Sequence, residues 1–304
     1  MHKMIFICSL MGMTVWAFSQ ADTNYTTKVV SVEWMPDGKA ILLAAIKFHK
    51  TNRQAPFYSK VFRYELQSGQ PEPLFENGSN LAPSPTGKTI AFLKRTDDRR
   101  ADIYIYNMDT KLETSLTTDT TRKYALTWSP DGKKLMYNIS YNGVNQYATV
   151  DISVLDLATN EIKQITHSGK EKSFNPVWCP DSKKIVYYVE KGDNHDQIWL
   201  TDLNGSFHTN LTHDTTTHNY FPCWFDEKTI IYTQSPGTIM TMKADGSNRQ
   251  QVVAIKSDLV KYNPIAGKLA YVTVERDNKV ILFDWKKKTI EVLLDETSIG
   301  RLMQ

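Results

Sequence analysis

Thr127-Trp128-Ser129-Pro130-Asp131-Gly132-Lys133 is the stretch that decides the fold. Proline fixes φ for the first corner of a tight turn, the aspartate hydrogen-bonds locally, and glycine supplies the left-handed corner. Such a turn joins two antiparallel strands, and the second begins at once as Lys134–Ser140, short and apolar. The stretch is one copy of several. Trp34-Met-Pro-Asp-Gly38, Pro83-Ser-Pro-Thr-Gly87 and Trp178-Cys-Pro-Asp-Ser182 repeat it, and Trp224-Phe-Asp-Glu-Lys228 and Tyr262-Asn-Pro-Ile-Ala-Gly267 are degenerate copies. Anchored on Pro36, Pro85, Pro130, Pro180, Asp226 and Pro264, the spacings are 49, 45, 50, 46 and 38 residues. A period near 45 is the length of a four-stranded propeller blade.

A second strand follows each turn: Ala40–Phe48, Thr89–Lys94, Lys134–Ser140, Lys184–Glu190, Thr229–Gln234 and Lys268–Val274. Third strands are read at Lys60–Leu66, Asp102–Asp109, Asp151–Leu157, Gln197–Leu203, Thr238–Lys243 and Lys279–Trp285. A weaker fourth strand closes each unit, and three copies end Leu116-Thr117, Ile165-Thr166 and Leu211-Thr212. No sustained 3.6-residue apolar period occurs, so helix should be nearly absent. A small sheet with two apolar faces cannot stand alone, whereas a ring of them buries both faces of each. The sequence therefore predicts an all-β chain, a six-bladed β-propeller with four antiparallel strands per blade. It spans 22–296, with blades near 26–76, 77–118, 119–167, 168–213, 214–254 and 255–296, and a C-terminal tail over 297–304. The structural repeat residues are Trp34, Pro36, Trp128, Pro130, Asp131, Gly132, Trp178, Pro180, Asp181 and Trp224.

From about residue 26 to 296 the chain resembles the TolB-like propeller repeat, loosely Pro-x-Trp-Ser-Pro-Asp-Gly-Lys, an apolar strand, Ile-Tyr-x-Met-Asp, then Leu-Thr. Asn175-Pro-Val-Trp-Cys-Pro-Asp-Ser-Lys183 carries the leading proline, and Ile103-Tyr-Ile-Tyr-Asn-Met-Asp109 resembles the third strand. The resemblance implies a TolB-type propeller lacking the α/β domain that precedes it in TolB itself. It implies fold far more than function, because propellers serve as binding modules and as enzymes. Prolyl oligopeptidases use similar blades beside a hydrolase domain, but no Gly-x-Ser-x-Gly occurs here. No Trp-Asp dipeptide occurs either, which separates the chain from eukaryotic WD repeats.

The beginning of the sequence is of another kind. His2 and Lys3 precede an apolar run from Met4 to Phe18 that ends Ala17-Phe18-Ser19. This reads as a signal peptide over 1–19 and predicts a periplasmic or secreted protein with no membrane span after cleavage. Cys179 and Cys223 then remain, beside equivalent tryptophans of successive repeats. Facing sheets lie about 10 Å apart, beyond disulfide reach, so two buried free thiols are expected. A formal charge of +3 over 304 residues argues against a nucleic-acid partner.

Histidine is scarce, and its clustering is the strongest enzymatic signal. His213, Asp214 and His218 lie in the loop leading into the fifth unit, and His167 holds the place of His213 one unit earlier. Over a central channel these four could converge on a divalent metal, the only cofactor the sequence suggests. Oligogalacturonate lyases are propellers with a His-rich metal site, although their ligand spacing is not reproduced here. Asp97 and Asp98 beside Arg99 and Arg100 read as a self-neutralised loop tip.

The loops between strands two and three, and those leading into each unit, should share one face. They carry Arg53, Arg95, Arg99, Arg100, Tyr147, Lys170 and Lys172, which predict a binding surface for a partner of some acidic character. The expected function is non-catalytic binding of an envelope or extracellular protein, peptide or glycan through the loop face or channel mouth, by a monomer. The alternatives are a metal-dependent polysaccharide lyase or hydrolase using the loop histidines, and a ligand-sensing module.

Overall fold

The computed structural model describes residues 24–52, 58–95, 101–119, 121–141, 149–169, 171–191, 194–254, 257–273 and 278–303. Within them the chain is a succession of antiparallel meanders, each of four strands consecutive in sequence. Their first strands are Tyr25–Trp34, Gly78–Pro83, Arg122–Trp128, Lys172–Trp178, Asn219–Trp224 and Ser257–Asn263. The second and third strands lie within a few residues of where the turn motif places them, as with Lys184–Lys191 and Asn194–Asp202. Fourth strands are short, some only three residues, as at Glu113–Ser115 and Ile162–Gln164.

The architecture is an all-β propeller of four-stranded antiparallel units. Among the described residues six four-stranded meanders follow one another, held in five hydrogen-bonded sheets, so the sheet count does not itself give six blades. The third and fourth units form one eight-stranded sheet through a single parallel pairing, Val150 with Lys172. That pairing follows from the short connection after Thr166, which brings the start of one inner strand beside the third strand of the unit before.

The turn chemistry operates as the residue types demand. Gly132 donates its N–H to the Ser129 carbonyl at 2.9 Å with φ of 71°, and Asp131 accepts from the Ser129 hydroxyl and the Lys133 N–H. At Gly38, φ is 69°, and an added Cβ would stand 2.9 Å from the backbone nitrogen of Ala266 in the last unit. The Leu-Thr endings have an equally local cause. Thr117, Thr166 and Thr212 each accept the N–H of Ile103, Ile152 or Ile198 on the third strand. Each hydroxyl then donates to Asp102, Asp151 or Gln197. The threonine thus fastens the chain leaving one unit to the strand it has just passed.

Between units the tryptophans repeat one bond. The indole N–H of Trp128 donates to the Ala82 carbonyl at 2.8 Å, and that of Trp224 to the Val177 carbonyl at 3.3 Å. Trp34 makes the same bond across the seam that joins the chain's two ends, to the Lys261 carbonyl at 2.9 Å. Asn263 adds a bond from its amide to the Met35 carbonyl. Trp178 departs from the pattern, since its indole nitrogen is buried with no acceptor among the described residues. The first and last sheets each consist of consecutive strands, so among the described residues side chains close the ring and no strand is exchanged.

Residues read as a tail form a short helix, Glu296–Leu302, capped by Asp295, which accepts the Ser298 N–H. Ile299 is fully buried against Val29 and Val32 of the first strand, so the helix covers the closing seam. One buried residue in seven is too sparse a pattern for helical periodicity to reveal. Cys179 and Cys223 are buried free thiols, and burial pushes both up to about 12.

Two predictions concern the seams. Trp128→Phe keeps the ring but leaves the Ala82 carbonyl unpaired, so unfolding in urea should show a loss of about 1–3 kcal/mol. At the closing seam the Lys261 ammonium pairs with Glu33. Lys261→Met should destabilise by roughly 2 kcal/mol, less than for a fully buried pair because both side chains keep partial exposure. Glu33→Leu combined with Lys261→Leu should recover most of that loss. A double variant as unstable as the single one would contradict this account of the seam.

Candidate functional site: the central channel and its mouth

The first strands of all six units line one cavity of about 820 Å³, the propeller's central channel. Trp34, Trp128, Trp178 and Trp224 lie along it, and Pro36, Pro85, Pro130 and Pro180 mark the end where the strand one-to-two turns gather. The repeat residues that define the fold therefore also form the wall of the channel.

Every inner strand carries a register shift, as between Ser79 and Ala82 or between Tyr220 and Cys223. Asn80, Ala125, Asn175 and Phe221 occupy equivalent places in these bulges, with φ of 49°, 48°, 46° and 51°. Asparagine visits this left-handed region readily and alanine less so, while a bulky aromatic there is an outlier costing about 1–3 kcal/mol. The bulges are laced together around the ring. Asn80 Oδ1 accepts the Ala125 N–H, Asn138 Oδ1 accepts the Asn175 N–H, and Ser31 Oγ accepts the Leu81 N–H.

The wall is uneven. In the residues just before the tryptophan position stand Glu33, Ala82, Thr127, Val177, Cys223 and Lys261, so both charges fall at the closing seam and neutralise each other. Burial, opposed by Lys261, holds the Glu33 carboxyl above the usual carboxylate range. On the third to fifth units the wall is aromatic. Phe174 stacks on Tyr188 at 5.4 Å, Tyr188 meets the edge of Phe221 at 5.6 Å, and Phe221 meets Tyr220 at 5.1 Å. Tyr124, in the register of Phe174, also lines the channel and is exposed. Comparison of the repeats column by column, three and four residues before each tryptophan, is the sequence signal that would have found these rings.

The four residues expected to gather on a metal, His167, His213, Asp214 and His218, have the following surroundings. Asp214 accepts the N–H and hydroxyl groups of Thr216 and Thr217. Burial would raise its carboxyl, but those bonds, Thr217 foremost, hold it far below the usual range. His213, with φ of 46°, is exposed and gives its N–H to Asn210. His167 is exposed after the fourth strand of its unit. His218 pairs with Asp196 at 3.1 Å and lies 4.7 Å, ring to ring, from His195, two residues that sequence reading passed over. Among the described residues no group of three or more His, Cys, Asp or Glu stands so as to hold a metal ion.

Of the expected binding residues, Lys172 pairs with Glu190 at 2.7 Å, and Arg95 ends the second strand of its unit, exposed. Arg53, Arg99, Arg100, Tyr147 and Lys170 lie outside the described residues, as do Asp97, Asp98 and residues 1–19, where a signal peptide is expected. Among the described residues no helix is long and apolar enough to cross a membrane.

Comparison with known proteins places this geometry. An uncharacterized protein of Agrobacterium fabrum is 27% identical over 198 residues, covering 62% of this chain and 59% of its own. The chain thus spans about three fifths of that relative's length. TolB from Acinetobacter baumannii superposes with a TM-score of 0.62 at 14% identity, covering 88% of this chain and 79% of its own. An oligogalacturonate lyase solved in complex with manganese gives 0.63 at 14% identity, covering 88% and 78%. At such identities the two structures attest the fold alone. The family model described as the TolB beta propeller domain matches residues 17–264, and the chain belongs to that family.

Proposed function

We propose that this chain is a non-catalytic, exported binding module whose channel mouth and loop face take a protein, peptide or glycan partner. The observation that supports this most is the uneven wall of the channel. Phe174 and Phe221 line one side of a cavity of about 820 Å³, with Tyr124 exposed beside them. A concave, largely apolar site with a few convergent polar groups is the usual form of a binding pocket. The lead-in loops are held by their own hydrogen bonds, as at Asp214 and at Asp119, which engages Thr121 and Lys123. Such loops support presentation of a fixed surface, and the basic residues that the sequence puts in the loops, Arg99 and Arg100 among them, favour partners of acidic character. The N-terminal sequence supports export to the periplasm or beyond, and a monomer suffices for this role.

A metal-dependent reading would turn to His195, Asp196 and His218, which approach one another without forming a metal-holding group among the described residues. Burial, opposed by His218, holds the Asp196 carboxyl above its usual range, which weakens it as a ligand for a cation.

Capture from the envelope fraction of the native host, by the folded chain and by a Tyr124→Lys variant, tests the binding reading. A partner held by the first and released by the second is expected; equal capture by both would remove the channel mouth from the site. Elemental analysis of the purified protein and of His218→Ala separates the two readings. No stoichiometric metal is expected, and metal bound by the native chain but lost in the variant would favour the enzyme.

A further inference from the structure

Phe221 is the residue of the channel that joins a left-handed backbone to a bulky ring, which packs against Tyr188 and Tyr220. The inner strands carry the same bulge, and the chain itself fills that left-handed position with Asn80, Ala125 and Asn175 elsewhere. Asparagine would meet the backbone demand at little strain, yet the fifth unit places a phenylalanine there. Its ring lines the channel beside Phe174, and strain of this kind collects where a side chain must be aimed.

The chemistry of the rest of the wall narrows what the ring receives. A peptide adding to the channel as a strand needs free backbone groups on the inner edges. Several are already engaged: the Ala82, Val177 and Lys261 carbonyls by indoles, and the Leu81, Ala125 and Asn175 N–H groups by side chains. Recognition at those levels falls to side chains. Asn80 Nδ2, the Asn175 amide and the Thr127 hydroxyl line the channel without a partner among the described residues. The lining charges Glu33 and Lys261 satisfy each other, so a net charge on the ligand finds no counterpart.

We propose that the channel binds a neutral saccharide, with the apolar face of a pyranose ring on Phe221 and Phe174 and its hydroxyls bonded to Asn80, Asn175 and Thr127. This rests on the binding-module reading above and specifies its ligand. Aromatic faces match the C–H face of a sugar, while amides and hydroxyls both donate to and accept from its alcohol groups.

The test uses the folded chain with cellohexaose, maltohexaose and chitohexaose, followed by calorimetry and by the fluorescence of the channel tryptophans. The native chain should bind at least one of the three. Phe221→Asn, which installs the residue used at the equivalent positions, should melt no lower than the native chain while losing about tenfold or more in affinity. Phe174→Leu, which leaves the left-handed position untouched, should weaken binding similarly and serves if the first variant folds poorly. Binding unchanged in both variants, or no binding of any of the three sugars, overturns the proposal. If instead a neutral Phe- and Tyr-containing hexapeptide library binds and the sugars do not, the saccharide is wrong but the binding module stands.

Discussion

Packing of one apolar meander face on the next is the constraint on which this ring depends, and at three seams an indole N–H from Trp34, Trp128 or Trp224 to the neighbouring inner strand's carbonyl fastens it. A four-stranded meander of this composition has two apolar faces, and neither is covered until another meander packs against it. Where a tryptophan ends the inner strand it fills that gap, and at Trp34, Trp128 and Trp224 its nitrogen ties one unit to the next. Because Trp34 meets Lys261 as Trp128 meets Ala82, the seam between the chain's ends is chemically one more internal seam. The Asn263 bond to Met35, the Glu33–Lys261 pair and the helix over Ile299 reinforce it.

The fold was legible because its determinants are local and repeated. Pro-Asp-Gly turns at Asp37, Asp131 and their degenerate counterparts mark each hairpin, and Thr117, Thr166 and Thr212 mark each exit because one hydroxyl there bridges two strands. What could not be read were consequences of three-dimensional neighbours. Val150 pairs with Lys172 across a unit boundary, and Ile299 is buried by Val29 and Val32 of the first strand, at the other end of the chain. Neither leaves a periodic trace.

The site was less legible, for a reason visible at Asp214. A carboxylate followed by three threonines and a histidine suggests a ligand set, yet the same spacing builds a capped turn, and Thr216 and Thr217 claim its oxygens. Sequence spacing cannot decide between a metal and a backbone N–H as the partner of an aspartate. Conversely, Phe174 and Phe221 read as ordinary strand aromatics, since only the bulge turns them toward the channel. Of the histidines read as ligands, His218 pairs with Asp196, which lies on the third strand of the preceding unit.

Closure by side chains alone also sets an order of events. The acceptor for Trp34 is the carbonyl of residue 261, so the outer flank of the opening unit stays wet until nearly the whole polypeptide has emerged. Val29, Val32 and Trp34, all dry in the finished ring, are the surface that a nascent chain must shield longest. Assembly can grow unit by unit from either end, but its last step joins the two most distant parts of the chain and carries the largest loop-closure entropy.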